Sequence, residues 1–250
     1  MSSMIGKSRL HSPHPVDPCD TCRVRDISAC ALLDSGERDR LTSIMQTTML
    51  PAHRLIFTEG EPARHVFTVT DGVVKIYKLL ADGRRQITGF LFPGDFLGLI
   101  HSESYAYTAE TVTEVRLCQF PRARLESLFD ELPNLELQLL DMASHELVAA
   151  QDQMVLLGRK SARERVASFL LMLSMAARRQ GNPGNPVFIP IPRADIADYL
   201  GLTVETVSRI MTRFGLQRLI QVIDDRHVHL VDPATLCRIA IGTWNRTGSL

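Results

Sequence analysis

Apolar residues recur along this 250-residue chain with two periods, and the change between them divides it. Between about residues 50 and 120 the period is two. HVFTVT, VVKIYKLL and RQITGFLF alternate, and the turn signals Gly60-Glu61-Pro62, Asp71-Gly72, Asp82-Gly83 and Pro93-Gly94-Asp95 fall about eleven residues apart. Short strands with regular glycine turns predict a small antiparallel barrel or roll. Just before it, Ser35 to Thr48 reads as a short amphipathic helix with Leu41, Ile44 and Met45 inward. After it the period becomes helical. In 134–157, Leu140, Ala143, Leu147, Ala150, Met154 and Leu157 occupy successive a and d positions of a heptad, with Glu136, Asp141, Glu146 and Asp152 off the seam. That stripe suits a helix pairing with a second copy of itself, and equally a helix bundled inside its own domain.

The C-terminal third continues the helical pattern. Ser161 caps a helix reaching about Arg179, with Val166, Phe169, Leu170 and Leu173 inward; GNPGNP is a loop and VFIPI a short strand. Ile191–Phe214 then reads as two short helices around a tight turn. Pro192 opens the first, whose inner side is Ile196, Ala197 and Leu200; Gly201 supplies the left-handed residue that ends it, and Thr203 caps the second. Val204, Val207, Ile210, Met211 and Phe214 form one face of that second helix. The other carries Glu205, Ser208, Arg209, Thr212 and Arg213. Arginine can grip O6 and N7 of guanine, glutamate can accept from a cytosine amino group, and serine can bond either kind of edge, so this face suits a DNA-reading helix. An ordinary solvated face would contain the same residue types. LIQVIDD and RHVHLV follow as two strands joined at Asp224-Asp225-Arg226, with His227 and His229 at the surface, and a last short helix holds Cys237 as a partly buried thiol. The fold expected is α+β: an N-terminal cysteine-bearing segment (1–34), a β-roll (35–130), a long helix (131–158) and a winged helix-turn-helix (159–250).

Charge sharpens the picture only when divided. The chain is neutral as a whole, but residues 1–158 hold 15 basic and 21 acidic side chains, net −6, and residues 159–250 hold 13 and 7, net +6. A basic half containing the reading helix is what docking on phosphates requires. No apolar run approaches the ~20 residues of a membrane span, and MSSMIGKSRLHSPHPVDP lacks an apolar signal region, so a cytoplasmic protein with no membrane partner is expected. Residues 1–18 are polar and proline-containing and are expected to be mobile. No Walker loop, Gly-x-Ser-x-Gly or His-Glu-x-x-His occurs, so the pattern points away from an enzyme.

Five cysteines, an odd number, disfavour a disulfide framework in a reducing compartment. Cys19-x2-Cys22-x7-Cys30 places two thiols within reach of one metal centre and a third close by. Three ligands leave a site incomplete, and Cys118, in the strand EVRLCQF, is the candidate fourth. Arg23 and Arg25 could offset thiolate charge. Zinc is a chemical rival, since His11 and His14 lie just upstream, and unliganded thiols are the bland alternative.

LGLTVETVSR resembles the recognition segment of the Crp/Fnr family of bacterial transcription regulators, in particular its Fnr branch. The likeness extends from Cys19 to about residue 240. It implies that Cys19, Cys22, Cys30 and Cys118 hold an oxygen-labile [4Fe–4S] cluster. It implies that Glu205, Ser208 and Arg209, with Thr203, Thr206 and Arg213 beside them, meet a half-site resembling TTGAT in double-stranded DNA. It further implies that Leu140, Ala143, Leu147, Ala150, Met154 and Leu157 form a homodimer seam, and that the bound dimer recruits RNA polymerase and activates. Some relatives carry an acid where this chain has Ala150. Cyclic-nucleotide binders of similar fold carry Gly-Glu and then Arg-Ser/Thr-Ala; the counterparts here are Gly94-Asp95 and Tyr107-Thr108-Ala109. The phosphate-neutralising arginine is missing, so no cyclic nucleotide is expected.

Overall fold

The computed structural model describes residues 19, 21–98 and 103–242. The expectations for 1–18, including His11 and His14, lie outside the described residues. A 3-10 turn at Arg25–Ile27 leads to α1 (Ser35–Ile44), started by a reciprocal Asp34/Glu37 cap. Eight strands follow: β1 (Gln46–Leu50), β2 (Leu55–Phe57), β3 (His65–Asp71), β4 (Val74–Leu79), β5 (Arg85–Leu91), β6 (Phe96–Leu97), β7 (Thr108–Thr111) and β8 (Val115–Pro121). Then come α2 (Arg122–Ser127), α3 (Pro133–Arg159), α4 (Ala162–Arg179), β9 (Val187–Phe188), α5 (Arg193–Leu200), α6 (Val204–Leu216), β10 (Ile220–Val222), β11 (His227–Leu230) and α7 (Pro233–Ile241).

The roll is two four-stranded antiparallel sheets, ordered β1-β8-β3-β6 and β2-β7-β4-β5. Phe57, Phe67, Val69, Val74, Leu91, Leu97, Ala109, Val115 and Leu117 fill the space between them. A second core sits outside the first sheet. There Ala29 and Leu33 of the cysteine-bearing segment, Leu41 of α1 and Leu125 of α2 meet Leu132, Leu135 and Leu139 at the start of α3, around Val66 and Phe120. A third core joins the roll to the C-terminal unit, packing Tyr77, Ile87, Phe90 and Phe92 with Phe169, Leu170, Leu200, Val207, Phe214 and Leu236. Roll and C-terminal unit are therefore fused through continuous apolar packing.

Several expectations need correction. The first helix stops at Ile44 rather than Thr48, because Met45 turns to extended geometry and Gln46–Leu50 pairs with β8. β-Branched Thr47 and Thr48 favour the strand, and the ladder partner decides it. Strands β2, β6 and β7 have too few residues for a legible alternation. Pro192 precedes α5 at ψ 148° instead of opening it, and VFIPI forms a strand only at Val187–Phe188. Val204 and Cys237 are exposed. His227 is half-buried, with its Nδ1 3.0 Å from Asp224 and its ring 5.1 Å from that of Phe188, and His229 is half-buried too.

Candidate nucleic-acid interface and cysteine cavity

The two helices α5 and α6 are set by a left-handed residue. Gly201 stands at φ 61°, ψ 43°, and the N–H of Leu202 reaches back 3.0 Å to the Ala197 carbonyl, closing the end of α5. A Cβ on Gly201 would sit 3.2 Å from Leu157 and 3.3 Å from Arg165, so the close approach needs glycine as much as the dihedral does. The Thr203 hydroxyl accepts from the Thr206 N–H at 3.2 Å and starts α6. Val207, Met211 and Phe214 are buried beneath α6, while Glu205, Ser208, Arg209, Thr212 and Arg213 project outward, all exposed. Arg209 touches the Thr206 hydroxyl at 3.4 Å, and Thr212 bonds the Ser208 carbonyl. The Glu205 carboxyl is held below its usual range by its own backbone N–H and by Thr203, so it is an anion and an acceptor at neutral pH.

Two groups of residues that hold this unit in place escape the sequence pattern. Arg165 on α4 donates to the carbonyls of Leu157, Lys160 and Leu200, at 2.8, 2.9 and 2.8 Å, and so ties the ends of α3 and α5 to one guanidinium. On the roll side, Lys75 lies 3.0 Å from Asp195 and 3.1 Å from Glu110; Arg85 lies 2.6 Å from Asp195 and 2.8 Å from Asp198. Gln86 adds a bond to the Asp198 carbonyl and Gln153 of α3 one to the Tyr199 carbonyl. Lys75 and Lys78 both lie in an alternating strand, so nothing in the sequence marked Lys75 as the buried one.

Cys19, Cys22 and Cys118 line one cavity of about 550 Å³, together with Arg23, Thr47, Thr70, Asp71, Pro93, Arg116, Gln180 and Asn182. Cys118 sits mid-strand in β8, opposite Thr47 and Thr68. Cys30 follows the 3-10 turn and packs against the second core. None of the four is in a disulfide, and the Cys19 sulfur lies 3.5 Å from the Thr42 hydroxyl. Burial, then the nearby Cys19, pushes the Cys30 thiol up to about 11, and burial, then Cys19, Cys22 and Cys30, pushes Cys118 up to about 12. Burial and the neighbouring thiols disfavour the charged form of Cys30 and Cys118, a penalty that a cationic metal centre would relieve, since metal binding removes thiol protons. They stand apart in this conformation: among the described residues no three of His, Cys, Asp and Glu are close enough to hold a metal ion. The donor chemistry fits a thiolate-bound cluster.

The long helix α3 presents an open apolar stripe. Leu140, Leu147 and Met154 are 63%, 61% and 72% exposed, and Leu137, Val148 and Val155 extend the stripe on its other flank. Ala150 is exposed beside it. Ala143 is half-buried and faces its own roll, and Leu157 packs into the third core near Gly201. The six seam candidates therefore divide, because Ala143 turns toward the roll and Leu157 toward the C-terminal unit.

At the roll's potential ligand corner, Gly94 is pressed by Ile27, whose side chain a Cβ would meet at 3.0 Å, and Asp95 is bound by Arg179 at 2.7 Å. The Tyr107 hydroxyl accepts from the Gly98 N–H.

Comparison with known proteins agrees with this architecture. Residues 47–131 match the model of the cyclic nucleotide-binding domain, and residues 164–239 that of the Crp-like helix-turn-helix domain. The chain is 39% identical to the transcriptional activatory protein AadR of Rhodopseudomonas palustris, over 86% of this chain and 90% of that protein. It is 38% identical to the nitrogen fixation regulation protein FixK of Bradyrhizobium diazoefficiens, over 89% and 93%. The solved structure of FixK2 from Bradyrhizobium japonicum superposes with a TM-score of 0.72 at 38% identity, covering 78% of this chain and 96% of that one.

Proposed function

The chain belongs to the Crp/Fnr family of transcription regulators, and from that premise we propose that it is a homodimeric, oxygen-responsive activator governed by a [4Fe–4S] cluster on Cys19, Cys22, Cys30 and Cys118. DNA-binding regulation, and not catalysis, is the property of that family as its relatives represent it. The observation that supports the finer reading is the gathering of three cysteine thiols around one cavity with the fourth alongside, Cys118 being disfavoured from ionising by burial and by the other three. A bound cluster would supply an oxygen-labile, redox-active centre at that place.

The chain's own residues supply the rest. The cysteine-bearing segment rests on α3 through Ala29 and Leu33, and Gln138 of α3 donates to the Ser28 carbonyl at 3.4 Å. Ordering that segment therefore orders the first half of α3, beside the open stripe where a second copy would pair. Pairing two α3 helices places two α6 helices for successive major grooves, with half-site centres ~10 bp apart. Glu205, Ser208 and Arg209 then read base edges of a TTGAT-like half-site, Arg213 meets phosphate, and Thr203 and Thr206 fix the start of the reading helix. The bound dimer recruits RNA polymerase. Cyclic nucleotide is not the ligand in this reading, because Asp95 is already paired with Arg179 and Tyr107-Thr108-Ala109 offers no cation to a phosphate.

Anaerobic purification followed by iron, zinc and acid-labile sulfide analysis tests this reading. Iron and sulfide in equal amounts, lost on exposure to air together with affinity for a two-fold site, are expected. Zinc without sulfide would replace the cluster by a structural metal, and no metal would end the proposal.

A further inference from the structure

The cysteine cavity is not closed by the roll alone. One side is lined by Gln180 and Asn182, which follow α4 and belong to the DNA-binding unit. A neighbouring cavity of about 240 Å³ shares Asp71, Pro93, Gln180 and Asn182 with it, and continues between the roll and α4 to Leu173 and Phe188. The space around the thiols thus opens into the seam between sensor and reader of the same chain. Backbone bonds fix this loop to α4: the Gln180 N–H reaches the Ala176 and Ala177 carbonyls, and the Asn182 N–H the Ala177 carbonyl at 3.0 Å. Gln180 is half-buried and Asn182 exposed. Beside them Arg179 holds Asp95 at 2.7 Å, next to the Gly94 on which Ile27 of the cysteine-bearing segment rests.

We propose that the occupant of the cysteine cavity is sensed in cis by the DNA-binding unit, with the side-chain amides of Gln180 and Asn182 acting as positioning residues that donate N–H groups to thiolate or sulfide sulfur. This rests on the cluster reading above. Each amide has two donors, and donors to cluster sulfur favour the reduced state by offsetting its extra negative charge. The coupling is separate from pairing along α3, since it needs no second copy. Loading draws the Gln180–Asn182 loop onto the cavity and stiffens the seam; loss of the occupant releases α4, and with it the placement of α5 and α6.

The test uses the full-length, anaerobically loaded homodimer as wild type and as Gln180→Leu/Asn182→Leu, with Gln221→Leu on the exposed wing strand as control. Two quantities are read: the midpoint potential of the cluster, and amide hydrogen exchange of residues 179–184 in loaded and apo protein. The expected result is slower exchange of the loop in loaded wild type, loss of that difference in the double variant, and a shift of its potential to more negative values, with iron content and the control unchanged. An unchanged potential together with unchanged loop exchange would overturn the coupling while leaving the cluster reading intact. A double variant that loses iron is read by exchange alone: a loop equally protected in loaded and apo wild type overturns the coupling, and a loop protected only when loaded supports it. A wild-type chain without iron and sulfide would overturn both.

Discussion

The ammonium of Lys75, on a strand of the roll, lies 3.0 Å from the carboxylate of Asp195, on the first helix of the DNA-binding pair, and the two side chains are only 4% and 6% exposed. Arg85 and Glu110 complete the ionic group, at 2.6 Å from Asp195 and 3.1 Å from Lys75. A buried pair is weak evidence for net stability, but removing one partner strands the other in a dry setting. Lys75→Met should therefore destabilise the protein by about 3 kcal/mol in urea unfolding. Lys75→Met/Asp195→Leu should recover part of that loss, because no Lys75–Asp195 charge remains unpaired. A double variant no better than the sum of the single ones would show that the pair is not coupled.

The cysteines should separate into a set of four and an outsider. Cys19→Ser, Cys22→Ser, Cys30→Ser and Cys118→Ser should each abolish iron retention and air-sensitive DNA binding together. Cys237→Ser, on the exposed face of α7, should leave both as they are. Full iron content in Cys118→Ser would remove Cys118 from the ligand set.

The reading helix should yield two kinds of defect. Arg209→Ala should cost ~1–3 kcal/mol per half-site and relax preference at one base pair. Arg213→Ala should weaken all sequences alike and reduce the salt dependence of binding. Titration of a palindrome and its single-base variants at several salt concentrations separates the two, and identical profiles would contradict the division of roles.

Leu147 lies in the open part of α3. Leu147→Glu would set a charge in an apolar contact and should leave the chain monomeric in sedimentation, with its fold unchanged by circular dichroism. Ala150→Asp should weaken the dimer less and make it depend more on the loaded cavity, because two like charges then approach only at the margin of the stripe. A dimer untouched by Leu147→Glu would place the interface elsewhere.

Glu146 gives a pH signature. Its carboxyl lines the groove between α3 and the roll with Asp95, Asp141, His145 and Arg179, and burial, then Asp95, raises it to about 7. A carboxyl raised in the folded state contributes stability that is fully present below its unfolded value of 4.5 and is lost as pH rises through about 7. Thermal midpoints of the apo chain should accordingly fall between pH 5 and 7, about the window set by that shift, and Glu146→Gln should flatten the slope. An equal slope in the variant would assign it to another group.

Local rules determined much of this protein before any contact was known. Regular glycine turns and alternating strands specify the roll, the Ser161/Glu164 pair starts α4, and Gly201 followed by Thr203 specifies the break between α5 and α6, because each depends on dihedral preference or spacing within a few residues. The exposed polar face of α6 was legible for the same reason, being the complement of an apolar face with helical spacing. Tertiary structure decided what depends on distant neighbours. Gln46–Leu50 is a strand because β8 pairs with it, Leu157 is half-buried because α5 ends against it, and Lys75 meets Asp195 across 120 residues. Cys118 joins Cys19 and Cys22, and Gln180 and Asn182 join all three, through packing of the roll against α4. A periodicity records which side of an element is buried; which partner covers it is set by the free energy of the whole packed chain.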